Sequence, residues 1–278
     1  LIAKFYRPDR WSDAAILEEH AFALELAERE IPVVAPFTDA RGRTLHESGG
    51  FRFALYPQQP GRSPELEDRD TLAWLGRFIA RIHAVGALGP FVHRPRLDIG
   101  SFGGAPVRYI VEHRFVPPDL AETYRTVVED LLERVAQCCR QVGAVRAIRL
   151  HGDCHAGNIL WTDEGPHFVD LDDARTGPPV QDLWMWLSGE RDARQAQLAH
   201  ILRGYREFND FEAAEVGLIE ALRALRIIHY AGWLAQRWDD PAFPANFPWF
   251  NTQRYWQDHI LTLREQAAAL DEMPLELV

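Results

Sequence analysis

Cysteine is scarce: Cys138, Cys139 and Cys154 are the three thiols in 278 residues. Three thiols, two of them adjacent, make no disulfide framework, and C-C has neither redox nor zinc spacing. That usage suits a reducing compartment, so the expected location is the cytoplasm. No run of about eighteen apolar residues occurs, which excludes a transmembrane helix, and no signal-peptide pattern stands at the start. Positive charge is short as well. Thirty Lys and Arg face 41 Asp and Glu, a net charge of −11, which argues against a general nucleic-acid or anionic-membrane binder. An initiator Met is also lacking: the chain opens LIAKFYRP, already inside an apolar run.

What is present is a hydrophobic share of 47%, enough for one large domain or two lobes. The informative stretch is residues 150–189, LHGDCHAGNILWTDEGPHFVDLDDARTGPPVQDLWMWLSG. Apolar runs at 158–161 and 167–171 flank a turn at 162–166, the pattern of a β-hairpin. A polar cluster, 153–158, precedes the first run, and Asp170 closes the second. A hairpin brings its ends side by side, so Asp153, Asn158 and Asp170 should converge. Two carboxylates and an amide oxygen are hard ligands that suit Mg²⁺. Mg²⁺ held by few protein groups takes its other ligands from phosphates and water.

His151-x-Asp153-x-x-x-x-Asn158 resembles the catalytic loop of protein kinases and of the aminoglycoside/choline-kinase-like phosphotransferases, and Asp170-Leu171-Asp172 resembles the metal-binding Asp that follows it. The finer wording HGDCHAGNILW, FVDLDDAR and VQDLWM resembles the bacterial stress response kinase A family of Ser/Thr protein kinases. AKFYRPDRW near the start and WDDPAFPANFPW near the end resemble the same family, so the likeness runs through nearly the whole chain. It implies an α+β, two-lobed, protein-kinase-like fold with a small β-rich N-lobe, truncated at its start, and a larger, mainly helical C-lobe. The implied division is 1–57 for the N-lobe, 58–62 for the hinge and 63–278 for the C-lobe. The implied cofactors are ATP and Mg²⁺. Asp153 would be the catalytic base, and Asn158 and Asp170 would hold Mg²⁺, Asp170 counting as catalytic too. Lys4 would pair the ATP phosphates, with Glu19 as its helix partner and Glu18 as the competitor. Gln58 and Gln59 would meet adenine through backbone groups. His155 stands where many protein kinases carry a Lys that touches the transferred phosphate; His recurs there in the small-molecule branch, which keeps the acceptor open. A kinase-like lobe needs strands and a phosphate-covering loop upstream of Leu1. Either that segment is missing from the sequence or the lobe does without it.

In chain order, residues 1–6 read as a strand and 12–29 as a helix capped by Ser12. Residues 31–36 are extended, since Pro32 and Pro36 exclude a helix. Two strands, 44–45 and 51–56, surround a Gly49-Gly50 turn, and PQQPG (57–61) is a break. Residues 66–85 form an amphipathic helix through Leu72, Leu75, Phe78, Ile79 and Ile82. His83, alone on its apolar face, reads as core support for the catalytic loop. Residues 86–104 are loop and 121–142 helix. Residues 179–188 open a helix in which Asp182 resembles the buried Asp that anchors the kinase catalytic loop. Helices follow at 193–208, 212–238 and 255–270, with a Pro- and aromatic-rich segment at 239–249 whose Phe243, Phe247 and Trp249 form a candidate exposed rim. Cys154, beside the proposed base, is either a packed residue or a redox switch. Asp170, Asp172 and Asp173 should repel one another unless a cation intervenes.

Four readings follow. The first is a Mg²⁺/ATP-dependent kinase acting on a protein Ser/Thr hydroxyl, including its own by autophosphorylation, as a monomer without nucleic-acid or membrane partners. The second keeps the chemistry and changes the acceptor to an aminoglycoside, choline or homoserine-like hydroxyl. The third is a non-enzymatic nucleotide binder. The fourth is a metal hydrolase, which lacks a second His pair at ligand spacing.

Overall fold

The computed structural model describes residues 1–8 and 10–277. Its elements, in chain order, are β1 (Ile2–Tyr6), α1 (Asp13–Glu28), β2 (His46–Ser48), β3 (Phe51–Tyr56), α2 (Arg69–Gly86), α3 (Ala105–Glu112), α4 (Ala121–Val142), β4 (Ile148–Leu150), β5 (Ile159–Thr162), β6 (Gly165–Phe168), β7 (Arg175–Gly177), α5 (Arg191–Tyr205), α6 (Ile219–Ala235), α7 (Ala242–Asn246) and α8 (Gln253–Ala269). They make the expected α+β architecture, a small β-strand lobe and a larger helical lobe. By compactness the chain forms two units. One holds Leu1–Arg96, Arg146–Ala213 and the last residues from Glu276; the other holds Leu97–Val145 and Ala214–Leu275. Among the described residues no helix is long and apolar enough to cross a membrane.

In the first unit an antiparallel sheet runs β1-β3-β2, with Lys4 opposite Ala54. Strand alternation turns Tyr6 into a small core with Ile16 and Ala54. Helix α1 begins where Ser12, in extended conformation, accepts the Ala15 N–H at 3.2 Å. Asp13 in the first turn suits the helix dipole. Burial of Ile16, Phe22 and Leu26 contributes about 1.5–3 kcal/mol for each side chain. The strand expected at 44–45 lies at His46–Ser48 instead. Thr44 is buried and its hydroxyl bonds the His20 Nδ1 at 2.8 Å.

The central hairpin forms with a shorter turn than expected. β5 and β6 pair from Ile159↔Phe168 to Thr162↔Gly165, leaving Asp163 and Glu164 as the loop. The Thr162 hydroxyl closes it, donating to the Gly165 carbonyl and accepting the Glu164 N–H. The extended segment 31–36 runs along the hairpin: Val34 donates to Phe168 and Phe168 to Pro32, at 2.9 and 2.8 Å. Strands β4 and β7 pair antiparallel, a contact absent from the sequence reading. The helix expected at 179–188 is two 3₁₀ turns, Pro179–Asp182 and Trp184–Trp186. Gln181 and Asp182 both bond to the backbone at 151–152, and the tighter turn serves those bonds.

Helix α2 starts at Arg69 rather than 66, because Asp68 caps it through the Thr71 N–H at 2.7 Å. It packs on α5 at backbone contact. A Cβ on Gly76 would lie 2.0 Å from the Ile201 carbonyl oxygen, and one on Gly204 would lie 1.9 Å from that of Ala73. Only glycine fits either position.

The second unit is helical. Its core gathers Tyr124, Val128, Leu131 and Val135 of α4, Leu225 and Ile228 of α6, and Trp256, Ile260 and Leu263 of α8. The segment read as loop up to 104 ends in a π-helical turn, Gly100–Gly104, that runs into α3. The helix expected over 212–238 is a 3₁₀ turn, Ala213–Leu218, followed by α6. The aromatic rim does not form as expected: Phe243 is buried against Trp233, and Trp249 stays exposed.

Candidate active site

The residues singled out in the hairpin region all lie in the first unit. β4 delivers the chain into the loop at 151–158. Asp182, fully buried, accepts the His151 N–H on Oδ2 and the Gly152 N–H on Oδ1, each at 2.8 Å. Gly152 has φ +86, and a Cβ there would fall 2.2 Å from the Asp173 carbonyl oxygen. Two independent constraints therefore require glycine. His83 Nε2 lies 3.2 Å from Asp182 Oδ2, and its Nδ1 lies 2.9 Å from the Tyr205 hydroxyl. Burial pushes the His83 pKa down despite the neighbouring carboxylate. His83 thus supports the loop through Asp182, as expected. His151 donates from Nε2 to the Val169 carbonyl at 3.0 Å, tying the loop to the residue before Asp170.

Within the loop, Asn158 donates from Nδ2 to the Asp153 carbonyl at 2.9 Å. That bond fixes the amide orientation and leaves Oδ1 as an acceptor. The Val169 N–H bonds the Asn158 carbonyl at 3.0 Å, so Asn158 stands beside the approach to Asp170. His155 Nδ1 accepts the Gly157 N–H, which places the neutral ring's proton on Nε2, 3.5 Å from Asp153 Oδ2. Cys154 is fully buried, and burial pushes its thiol pKa well up. A buried thiol kept protonated is a packing residue and a poor redox switch.

Asp170 has φ 60 and ψ 64, a left-handed conformation for a residue with a side chain. A 3₁₀ turn, Leu171–Asp173, follows at once. The Asp170 carboxylate accepts from Lys4 Nζ at 2.8 Å, and Asp172 lies 3.4 Å from the same ammonium. Burial pushes Asp170 up, but Lys4 more than offsets it and holds the carboxylate below its usual range. The repulsion expected among Asp170, Asp172 and Asp173 is relieved internally. Arg10 bonds Asp172 at 2.6 Å and Asp173 at 3.3 Å, and Arg175 bonds Asp173 at 2.8 Å. Sequence reasoning missed both arginines, which are two among 29; Lys4 is the chain's single lysine.

The expected pair of Lys4 with Glu19 does not form, because the ammonium is taken by Asp170 and Asp172; Glu19 is buried and lines the same cavity, with Oε2 free of any hydrogen bond among the described residues. Burial pushes its pKa up to about 7, Lys4 acting against that rise. Burial also draws the Lys4 pKa down, yet Glu19, Asp172 and Asp170 together carry it above the usual ammonium value. Glu18 points elsewhere and accepts the N–H groups of Val92, His93 and Arg94.

Lys4, Glu19 and Asp170 line a cavity of about 630 Å³. Gln58 and Gln59 line it too, and Val34, Leu160 and Leu171 give it apolar walls. That volume and mix suit a small organic ligand with a charged end. Among the described residues no three His, Cys, Asp or Glu side chains group to enclose a metal. Asn158 Oδ1 and the Asp170 carboxylate are two oxygen donors that could take part in holding a cation. A hard cation with that few protein ligands completes its shell from phosphate and water.

Residues 1–219 match the phosphotransferase enzyme family APH. The chain is 45% identical over 276 residues to stress response kinase A of Escherichia coli K12, covering 99% of this chain and 83% of that protein. It is equally similar, with the same coverage, to the serine/threonine protein kinase RdoA of Salmonella typhimurium LT2. Among solved structures, it superposes on amicoumacin kinase hAmiN in complex with AMP-PNP and Ca²⁺ with a TM-score of 0.72 at 18% identity, covering 99% of this chain and 82% of that one. It superposes on spectinomycin phosphotransferase APH(9)-Ia in complex with ADP and spectinomycin with a TM-score of 0.63 at 13% identity, covering 98% and 93%.

Proposed function

The chain belongs to the stress response kinase A branch of the APH phosphotransferase family and is a kinase, and from that premise we propose that it transfers the γ-phosphoryl group of Mg²⁺·ATP to a protein Ser or Thr hydroxyl. The observation that carries this reading is the 2.8 Å pair of Lys4 and Asp170 in the lining of the cavity that Gln58 and Gln59 also line, with Asn158 bonded to Val169, the residue before Asp170. In this reading residues 1–57 are the N-lobe, 58–62 the hinge that meets adenine and 63–278 the C-lobe.

Asp153 orients the acceptor hydroxyl and takes its proton as the oxygen bonds to the γ-phosphorus. The bond from that phosphorus to the β–γ bridging oxygen breaks, and ADP leaves. Lys4 holds the phosphates as a point charge, and the nearby Glu19 helps keep it charged. His155, next to Asp153, contacts the transferred phosphoryl group. Asn158 Oδ1 and Asp170 would hold Mg²⁺, which supplies charge neutralisation between phosphate oxygens. Positioning and fixed charge then account for catalysis, without a covalent enzyme intermediate. We place the kinase in the cytoplasm, as a monomer.

The net charge of −11 favours a second reading, in which the acceptor is a small cationic alcohol such as an aminoglycoside or choline-like compound. One experiment separates the two. Wild type and Asp153→Ala are incubated with γ-³²P-ATP and Mg²⁺, alone and with a generic basic protein. Label on protein that disappears in the variant supports the first reading. ATP consumption that depends on an added small alcohol, with no labelled protein, overturns it in favour of the second.

A further inference from the structure

Glu18 and Arg94 lie outside the machinery just described, yet they join its two halves. The Glu18 carboxylate on α1 accepts three consecutive backbone N–H groups, from Val92, His93 and Arg94, at 2.5, 2.8 and 2.7 Å. Three adjacent amides converging on one carboxylate fix both the helix and the segment at 92–94. The Arg94 side chain then reaches the other way. Its Nε donates to the Ala174 carbonyl at 2.8 Å, and an Nη donates to the Asp172 carbonyl. Arg94 is 4% exposed, and its guanidinium lies 4.2 Å from the centre of the Trp11 ring. Its remaining Nη has no hydrogen-bond partner among the described residues.

Two further contacts continue the same seam. The Thr176 N–H bonds the Pro95 carbonyl at 3.0 Å, and Arg96 bridges to Thr176. Segment 92–96 therefore lies between α1, which carries Glu19, and residues 172–176, which follow Asp170. The rigid fork of an arginine spans the Asp172 and Ala174 carbonyls at once; a lysine offers one point charge to both. A left-handed Asp170 costs of order 1–3 kcal/mol and persists where its surroundings over-determine it. Arg94 supplies two of the bonds that hold the turn leaving Asp170.

We propose that Glu18 and Arg94 are positioning residues that couple helix α1 to the Asp170 turn, and so set how Lys4 and Glu19 stand to Asp170. The catalytic half of this inference rests on the function proposed above; the coupling itself does not. The test uses Glu18→Ala, at a partly exposed position, together with Arg94→Met and Arg94→Lys. Amide hydrogen exchange is followed in peptides covering 92–96, 171–176 and, as reference, 159–168. Glu18→Ala is expected to speed exchange about tenfold in both 92–96 and 171–176 and to leave 159–168 unchanged. Arg94→Met should do the same in 171–176, with Arg94→Lys between it and wild type. Faster exchange confined to 92–96 in Glu18→Ala overturns the coupling.

Phosphoryl transfer is measured on the same proteins against Mg²⁺ concentration, with Asp170→Asn alongside. The two positioning variants should need several times more Mg²⁺ for half-maximal rate. An unchanged Mg²⁺ requirement in variants whose 171–176 exchange has risen reduces Glu18 and Arg94 to structural support. Normal transfer by Asp170→Asn sinks the metal role of Asp170, while the exchange result still decides the coupling.

Discussion

The Lys4 ammonium and the Asp170 carboxylate, 166 positions apart in the chain, meet at 2.8 Å. β1 carries one and the hairpin exit the other, so the contact exists only when strand sheet and hairpin are docked. The pair also draws on the one ε-amine in the chain.

That uniqueness allows a direct test of Lys4. An amine-reactive reagent applied to the native protein has one side chain to modify, and the ammonium is held charged above its usual pKa. Labelling should be slow, should map to Lys4 by mass spectrometry, and should be slowed further by Mg²⁺·ATP. Lys4→Arg should lower kcat/KM by about two orders of magnitude despite the retained charge, because guanidinium and ammonium present different donor geometry. Wild-type kinetics in Lys4→Arg would remove Lys4 from the site.

Asp182 is the acceptor on which the loop at 151–152 hangs. Asp182→Ala leaves two backbone N–H groups and His83 without their partner in a fully buried place. At roughly 1–3 kcal/mol for each buried N–H left unpaired, the loss should be several kcal/mol, seen as a fall in urea midpoint without a change in slope. His83→Gln should cost less, since Asp182 keeps both backbone bonds. Equal losses from the two would contradict that order.

Glu19 provides a pH signature. Its pKa is pushed from 4.5 to about 7 by burial, against Lys4. The folded state therefore holds the Glu19 proton more tightly than the unfolded chain does. That contribution is complete below about pH 4.5 and is lost as pH rises to about 7. Glu19→Gln removes the titration. The Tm of the variant relative to wild type should rise between pH 5 and pH 8; a difference constant with pH would show that Glu19 titrates normally.

Cys154 should be silent. With 5,5′-dithiobis(2-nitrobenzoate), the half-buried Cys138 and Cys139 should react ahead of Cys154, which is fully buried with its thiol pKa pushed well up. Cys154 should react only on unfolding. Peroxide should inhibit wild type and Cys154→Ser alike.

Much of the site was legible because its spacing is local. Asp153, Asn158 and Asp170 lie within 18 positions, and a hairpin has to fold such a stretch back on itself. Asp182 and His83 were read as loop supports and are found there. What escaped the sequence depends on distant partners. Glu18 looked like a competitor for Lys4, and its real partners are 74 to 76 positions away. Arg10, Arg94 and Arg175 carry no spacing signal among so many arginines. β4 and β7 have three residues each, too short for alternation to register. The single lysine was a signal available in the sequence: a chain that uses arginine everywhere else keeps one ammonium, and it stands against Asp170.

The first unit is discontinuous: residues 97–145 belong to the other unit and separate Leu1–Arg96 from Arg146–Ala213. This bears on the order of synthesis. When Arg96 leaves the ribosome, α1 and α2 are made, but Asp182, Arg149 and Gly204, which close on them, are not. At about 5–20 residues per second, the 117 residues from Arg96 to Ala213 take roughly 6–23 s. For that interval the glycine-lined face of α2 has no helix to meet, and Glu25 lacks Arg149, the closer of its two arginine partners. Nascent chains halted between residues 97 and 200 are therefore those most in need of a chaperone, and the unit that binds the nucleotide in our reading closes only when α5 emerges.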